Sequence, residues 1–313
     1  MNEGALATEA AIGARGHPDG PQPVNARALR RDAARERLAL FGLCSPALLL
    51  VLVIMIIPVG WLFWLSFVGE KGGLSMENYQ RMIDSRAYLQ IFRITFEVSA
   101  ITTVVCVLLG YPLAYFLSQL PSRAANLCMI AVLVPLWTSL LVRTYAWLVL
   151  LQRRGLINTW GMDLGLWHDP IAIVHNLLGT LIGMVHIMLP FLILPVYGSM
   201  KTIDRDYLKA AANLGARPAQ VFWKVFFPLS LPGLFAGGLI VFILCLGFYV
   251  TPAILGGGRV IMVAMSIATN IELFVNWGAA SALGVVLLAL TLLILYVASR
   301  VIRLDQVLGG RDP

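Results

Sequence analysis

KTIDRDYLKAAANLGARPAQVFWKVFFP, residues 201–228, is a polar island between two long apolar runs. It carries Lys201, Asp204, Arg205, Asp206, Lys209, Arg217 and Lys224. Asp204 is the residue type that caps a helix N-terminus, and it predicts a helix running to Asn213. Gly215 follows where a left-handed residue would stop that helix. Pro218 then fits the first turn of a second helix running toward Pro228. A helix, a glycine turn and a helix entering an apolar run make a compact knob pinned at both ends. Such a knob can pass a push between something outside a bilayer and the spans within it.

Composition sets the class around this island. The chain has 313 residues, of which 59% are hydrophobic and 12% charged, with a mean hydropathy of +0.83. That is too apolar for a soluble domain of this length and predicts an all-α membrane protein. A formal net charge of +7 raises the question of nucleic acid. Its cations are dispersed among apolar runs, with none of the clustering that a basic groove needs, so no nucleic-acid partner is expected.

Six runs reach roughly the 20 apolar residues that cross the hydrocarbon core. They are residues 38–67, 91–117, 125–151, 171–197, 229–255 and 279–302. Residues 261–275 are apolar but short and interrupted by Asn270 and Glu272, which predicts an interfacial or re-entrant segment. This divides the chain into a basic N-terminal tail (1–37), a transmembrane domain (38–303) holding the 201–228 loop, and a short C-terminal tail (304–313). Residues 1–24 have the composition of a disordered tail. Residues 25–37 read either as a basic helix on the membrane surface or as a solvated positive flank. With the N-terminus inside, fifteen Lys and Arg fall on the inner side and seven on the outer side. The positive-inside rule therefore places both termini and the 201–228 loop in the cytoplasm.

Catalytic patterns are missing. No lysine follows a glycine as a phosphate-binding loop requires, and His17, His168, His175 and His186 form no H-E-x-x-H pair. Cys44, Cys106, Cys128 and Cys245 fall in four different apolar runs, where thiols behave as small hydrophobes. No cofactor and no metal is expected on this chain. Gly179 and Gly183, with Gly233, Gly237 and Gly238, would let helices approach closely.

Charges inside the spans are few. Glu97 lies near the outer end of the second span, with Arg93 four residues before it on the same helical face. Either the two pair, or Glu97 faces a solute. Arg143, in the third span, either snorkels outward or pairs with Glu97. Ion-coupled carriers usually bind the coupling ion with groups deep in their spans. So sparse a set favours energy supplied by a partner. A secondary carrier or channel stays open as the alternative, although no internal repeat is visible.

The island also carries a resemblance. Lys209-Ala210-Ala211, three residues, Gly215, nine residues, Val225, one residue and Phe227-Pro228 resemble the EAA loop of inner-membrane permeases in binding-protein-dependent ABC importers. Lys209 stands where that family has Glu. The runs LLGYPLAYFL, PLWTSLLVRTYAWLVLLQRRGLIN and NWGAASALGVVLLALTLLILYVASR are similar to the spermidine/putrescine-type permeases. The resemblance implies the type I importer fold, with six spans and a coupling helix in the loop, in a bacterial inner membrane. It implies a second permease subunit forming a heterodimer, a pair of ATP-binding cassette ATPases holding ATP and magnesium, and an extracytoplasmic solute-binding protein. It assigns Asp204, Tyr207, Lys209, Ala210, Ala211, Gly215 and Pro228 to ATPase coupling. For a polyamine or related organic cation, the path wants aromatic faces and carboxylates. The candidates are Glu97, Arg143, Tyr145, Trp147, Tyr249, Glu272 and Trp277.

Overall fold

The computed structural model describes the backbone of residues 26–69 and 72–309, with side chains over 41–69 and 72–300. The expectations for residues 1–24 and for the end of the C-terminal tail lie outside these residues. The chain divides into two units, Met1–Trp61 and Leu62–Pro313. Helix α1 (Ala26–Ser66) begins in the first. It is one unbroken helix, so residues 26–40 and the span that begins at Phe41 share one helical backbone. From Phe41 on it is apolar on every face, which suits lipid as its solvent.

The regular structure of the second unit's described residues is helical, apart from an isolated bridge between Val68 and Leu74. In chain order its helices are α2 (Glu77–Asp84), α3 (Arg86–Gln119), α4 (Ser122–Trp137), α5 (Leu140–Leu151), α6 (Leu156–Asp163), α7 (Leu177–Lys201) and α8 (Arg205–Asn213). Then come α9 (Pro218–Leu246), α10 (Val250–Leu255), α11 (Val263–Glu272) and α12 (Trp277–Gly309). Among the described residues five helices are long and apolar enough to cross a bilayer, and six spans result if α4 with the helical stretch after it counts as one broken span.

The core is the packing of α3, α7 and α9 on one another. Val98, Cys106, Ala114 and Leu117 of α3 meet Met184, Met188, Leu192 and Val196 of α7 and Val241 and Cys245 of α9. Small residues allow the approach. A β-carbon on Gly233 of α9 would collide with Ser199 Cβ of α7 and lie 2.9 Å from the Pro195 carbonyl oxygen. On the far side of α7, Gly183 faces Leu255 and Thr251 of α10 in the same way. The expected close approaches are thus made inside this chain.

Three expected spans differ in outline. The run 125–151 is not one straight helix: it turns through 94° at Thr138 and Ser139. The Thr138 hydroxyl and backbone N–H both bond the Pro135 carbonyl, ending α4 there. The run 171–197 becomes helical only at Leu177, where the Asn176 side chain caps α7 by accepting from the Gly179 N–H at 2.9 Å. His175, with φ 61°, turns the chain just before it. The run 229–255 stops at Leu246, and residues 250–255 form the separate helix α10. Residues 261–275 hold only the ten-residue α11, about 15 Å long and half the hydrocarbon thickness. Its start is tied to α3 by the Val263 N–H donating to Thr95 Oγ1 at 2.9 Å.

The Gly233 contact yields a first prediction. Gly233→Leu forces α7 and α9 apart at a cost of about 1–3 kcal/mol and lowers the melting temperature of the detergent-purified protein by several degrees. Gly198→Leu, with nothing within 4 Å of the added carbon, melts close to wild type. Equal melting of the two variants would refute the packing account.

Candidate functional site

The 201–228 island folds as its chemistry predicts. Asp204 is extended (φ −66°, ψ 125°) and its Oδ1 accepts from the Asp206 N–H at 2.9 Å, capping α8. At the other end Gly215 takes φ +85°. Its N–H reaches the Ala212 carbonyl at 2.9 Å, and the Ala216 N–H reaches the Ala211 carbonyl at 3.1 Å. This doubly bonded pattern closes a helix through a left-handed residue. Pro218 opens α9, and the backbone N–H of Arg217 is satisfied by Gln220 Oε1 at 2.9 Å.

The second helix does not stop at Pro228 but runs on into the membrane-length α9. Proline lacks an N–H and crowds the carbonyl four residues back. Here the ladder widens into a π-turn over Phe222–Phe226, with the Phe227 N–H bonding the Phe222 carbonyl. Pro228 follows this widened turn, so the loop and the fifth span form one mechanical rod.

α8 stands at the end of the bundle where α3 and α7 finish and α9 begins. None of its residues is fully buried. Leu208, with Ile203 just before the helix, packs on the core, flanking a cavity of about 210 Å³ with Ser118, Gln119, Met200 and Phe226. The rest of the helix is open: Tyr207, Ala210 and Leu214 are exposed, Lys209 is exposed at the rim of the same cavity, and Ala211 is half-buried. Lys209 Nζ pairs with Asp206 Oδ1 of its own helix at 2.8 Å, both largely exposed. The lysine that stands in place of the family's glutamate thus lies beside an acid of its own helix, in an exposed pair that adds little stability.

Beneath the knob, the rings of the π-turn interlock with α3. Tyr115 lies 5.1 Å from both Phe222 and Phe226, edge to face, and Tyr111 lies 5.6 Å from Phe227. Ser230 Oγ donates to the Phe227 carbonyl, so Tyr111 Oη donates to Ser230 Oγ at 2.8 Å. Each such ring pair adds about 0.5–1.5 kcal/mol beyond area burial. A displacement of α8 and the π-turn is thereby carried into α3.

The seven residues proposed for the path do not converge on one pocket. Glu97 is exposed on α3 and pairs with neither Arg93 nor Arg143. An exposed i,i+4 pair contributes only a few tenths of a kcal/mol, too little to hold two solvated side chains together. Arg143 sits on α5, which packs against α7 and α10, away from Glu97. Tyr145 and Tyr249 are exposed, as are Glu272 and Trp277 on either side of the α11–α12 turn. Arg143 and Trp147 do come together with His186 of α7. The Trp147 and His186 rings meet edge to face at 5.6 Å, and Arg143 is within electrostatic reach of the imidazole. Beside them Thr144 and Thr251 hydroxyls touch at 3.3 Å. His186 belongs to no zinc-ligand spacing in the sequence. Its signal was simpler: an ionisable residue inside an apolar run of membrane length.

Comparisons with known proteins follow this geometry. Residues 107–304 match the family described as binding-protein-dependent transport system inner membrane component. The spermidine/putrescine transport system permease protein PotB of Haemophilus influenzae is 33% identical over 257 residues, 79% of this chain and 90% of the relative. The protein of the same name from Escherichia coli is 32% identical over 240 residues, 76% of this chain and 86% of the relative. Among solved structures, a bacterial alginate ABC transporter in complex with alginate pentasaccharide-bound periplasmic protein contains a chain similar in fold. Its TM-score is 0.71 at 15% identity, covering 86% of this chain and 94% of that one. The matched region runs from the middle of α3 through α12 and includes the whole capped loop. The chain is a multi-pass membrane permease and belongs to the family of binding-protein-dependent transport system inner membrane components.

Proposed function

We propose that this chain is one of two different permease subunits in an ATP-driven importer for a polyamine or related small organic cation. The observation that carries the mechanism is the capped, glycine-closed α8, which stands exposed on one face and is locked through aromatic rings to α3 on the other. α8 is the coupling helix, seated on a partner ATPase through Tyr207, Lys209, Ala210, Ala211 and Leu214. Asp204, Gly215 and Pro228 hold the geometry. ATP and magnesium reside on that partner. The excess of cations on the loop side supports a cytoplasmic loop and cytoplasmic termini. The preceding and following loops, near residues 69–90, 152–170 and 256–278, then face a solute-binding protein outside.

ATPase closure moves α8, and the rod formed by the π-turn and α9 transmits the movement through Tyr111 and Tyr115 to the core bundle. The path opens outward to receive solute and returns inward after hydrolysis. The polyamine reading rests on relatives that share about a third of their residues over most of their length. Tyr145, Trp147, Tyr249 and Trp277 offer aromatic faces to an ammonium group, and Glu97 and Glu272 offer carboxylates. With only two acids, affinity within the permease is low and selection falls to the binding protein.

The test is uptake of labelled putrescine or spermidine into vesicles carrying this permease, its partner permease and the ATPase, with binding protein added outside. ATP-dependent accumulation is expected. Accumulation without the ATPase, or a loop labelled from the outer face, would overturn the reading.

Two variants examine the coupling helix. Gly215→Val places a β-branched residue at a left-handed φ, costing about 1–2 kcal/mol locally. It is expected to abolish stimulation of ATP hydrolysis by loaded binding protein while leaving permease yield unchanged. Gly215→Asn, which tolerates that φ, retains most of it. Lys209→Ala removes only an exposed pair and leaves melting unchanged within about 0.5 kcal/mol. A fall in ATPase co-purification with this variant locates Lys209 in the contact, and unchanged co-purification removes it.

A further inference from the structure

Arg143 stands out among the charged side chains of the spans. Its Nε and Nη1 are buried and have no hydrogen-bond partner, and His186 Nδ1 beside it is also buried and unpartnered. Among the described residues no carboxylate pairs with Arg143. Guanidinium keeps its charge in any protein environment, and a buried charge persists only when something compensates it. Lipid tails offer no acceptor, and the Trp147 ring edge-on to His186 offers none either.

We infer that Arg143 is completed by a carboxylate on a membrane span of the second permease subunit, so that α4 and α5 form part of the permease–permease interface. This rests on the two-permease reading above. Two arguments, the first resting on the organic-cation reading above, favour a resident acid over the solute as the missing acceptor. The solute is an organic cation, and two unit charges about 6 Å apart at an effective dielectric near 20 repel by the equivalent of roughly a hundredfold in occupancy. An unneutralised Arg143 beside the path would oppose the transport it serves. The solute is moreover present only transiently, whereas Nε and Nη1 of the half-buried Arg143 are covered by the chain itself. The surroundings fit a protein neighbour. At the 94° turn between α4 and α5, Trp137 is 89% exposed, and Ile130, Leu141 and Tyr145 are also exposed. This exposed apolar surface belongs to the same pair of helices as the cation, whose covered nitrogens lipid cannot satisfy.

The experiment uses the whole importer, with both permeases, the ATPase and the binding protein produced together. Arg143→Glu and the apolar Arg143→Met are each scored for co-purification of the second permease and for ATP-driven uptake. Both are expected to lose the second permease and roughly thirtyfold or more of uptake. Arg143→Met, which buries no new charge, elutes as a single species when expressed alone. Each Asp and Glu within the spans of the second permease is then changed to Lys against Arg143→Glu, and one such exchange is expected to restore assembly. Failure of every exchange, or restoration by Glu97→Lys of this chain, overturns the proposal. So does a variant that assembles normally but changes its preference between amine-only and carboxylate-bearing solutes, since the acceptor is then the solute. Wild-type uptake measured in parallel separates these results from failure of the importer reading itself.

Discussion

The contact between α7 and α9 governs this molecule. Where Gly233 lies against Pro195 and Ser199, the two helices run close enough that no side chain fits between them. The end of α7 and the beginning of α9 are therefore held together, and residues 202–217 start and finish side by side. They fold into a capped turn of helix. Membrane packing thus sets where the ends of the knob lie, and its own capping residues set its helix. Without a hydrophobic driving force between helices in lipid, such small-residue contacts are what bring the spans together.

From this contact the mechanical chain is continuous. The π-turn at Phe222–Phe226 lets α9 begin in the knob and continue past Pro228 without a joint. The rings of Tyr111 and Tyr115 fasten it to α3, and the Tyr111–Ser230 hydrogen bond fixes their register. A rigid rod with aromatic teeth suits a protein that receives work at one end and changes shape at the other. The knob itself contributes surface: a helix with no buried residue, an exposed tyrosine and leucine, and an exposed cation beside an acid of its own helix.

The opposite end of the bundle is built from interruptions. α4 breaks at Thr138–Ser139, α9 ends before Gly247, and α10 and α11 are too short to span. In a bilayer such breaks are tolerated where protein satisfies the freed groups. Thr95, Thr138 and Asn176 do so here through side-chain bonds. Arg143, Trp147 and His186 assemble just past one of these breaks, which makes that region the chemically distinctive part of the spans.

What the sequence by itself determined is what short-range chemistry controls. Apolar run length and the scarcity of charge decided a six-span membrane protein. Asp204 and Gly215 decided the knob, because a cap bonds two residues ahead and a glycine closure reaches five back. The tertiary structure alone decided where apolar runs break and which charges meet. Residues 125–151 and 229–255 are uniformly apolar, so hydropathy is blind to a turn that Thr138 makes or to the end of a helix at Leu246. The expected Arg93–Glu97 and Arg143–Glu97 pairs failed for the same kind of reason. Spacing along one helix gives proximity but not enough energy to fix exposed side chains. Whether two charges on different helices meet depends on which helices are neighbours. Arg143 came to lie beside His186 because α5 packs on α7, a contact between residues 43 positions apart that no local pattern encodes.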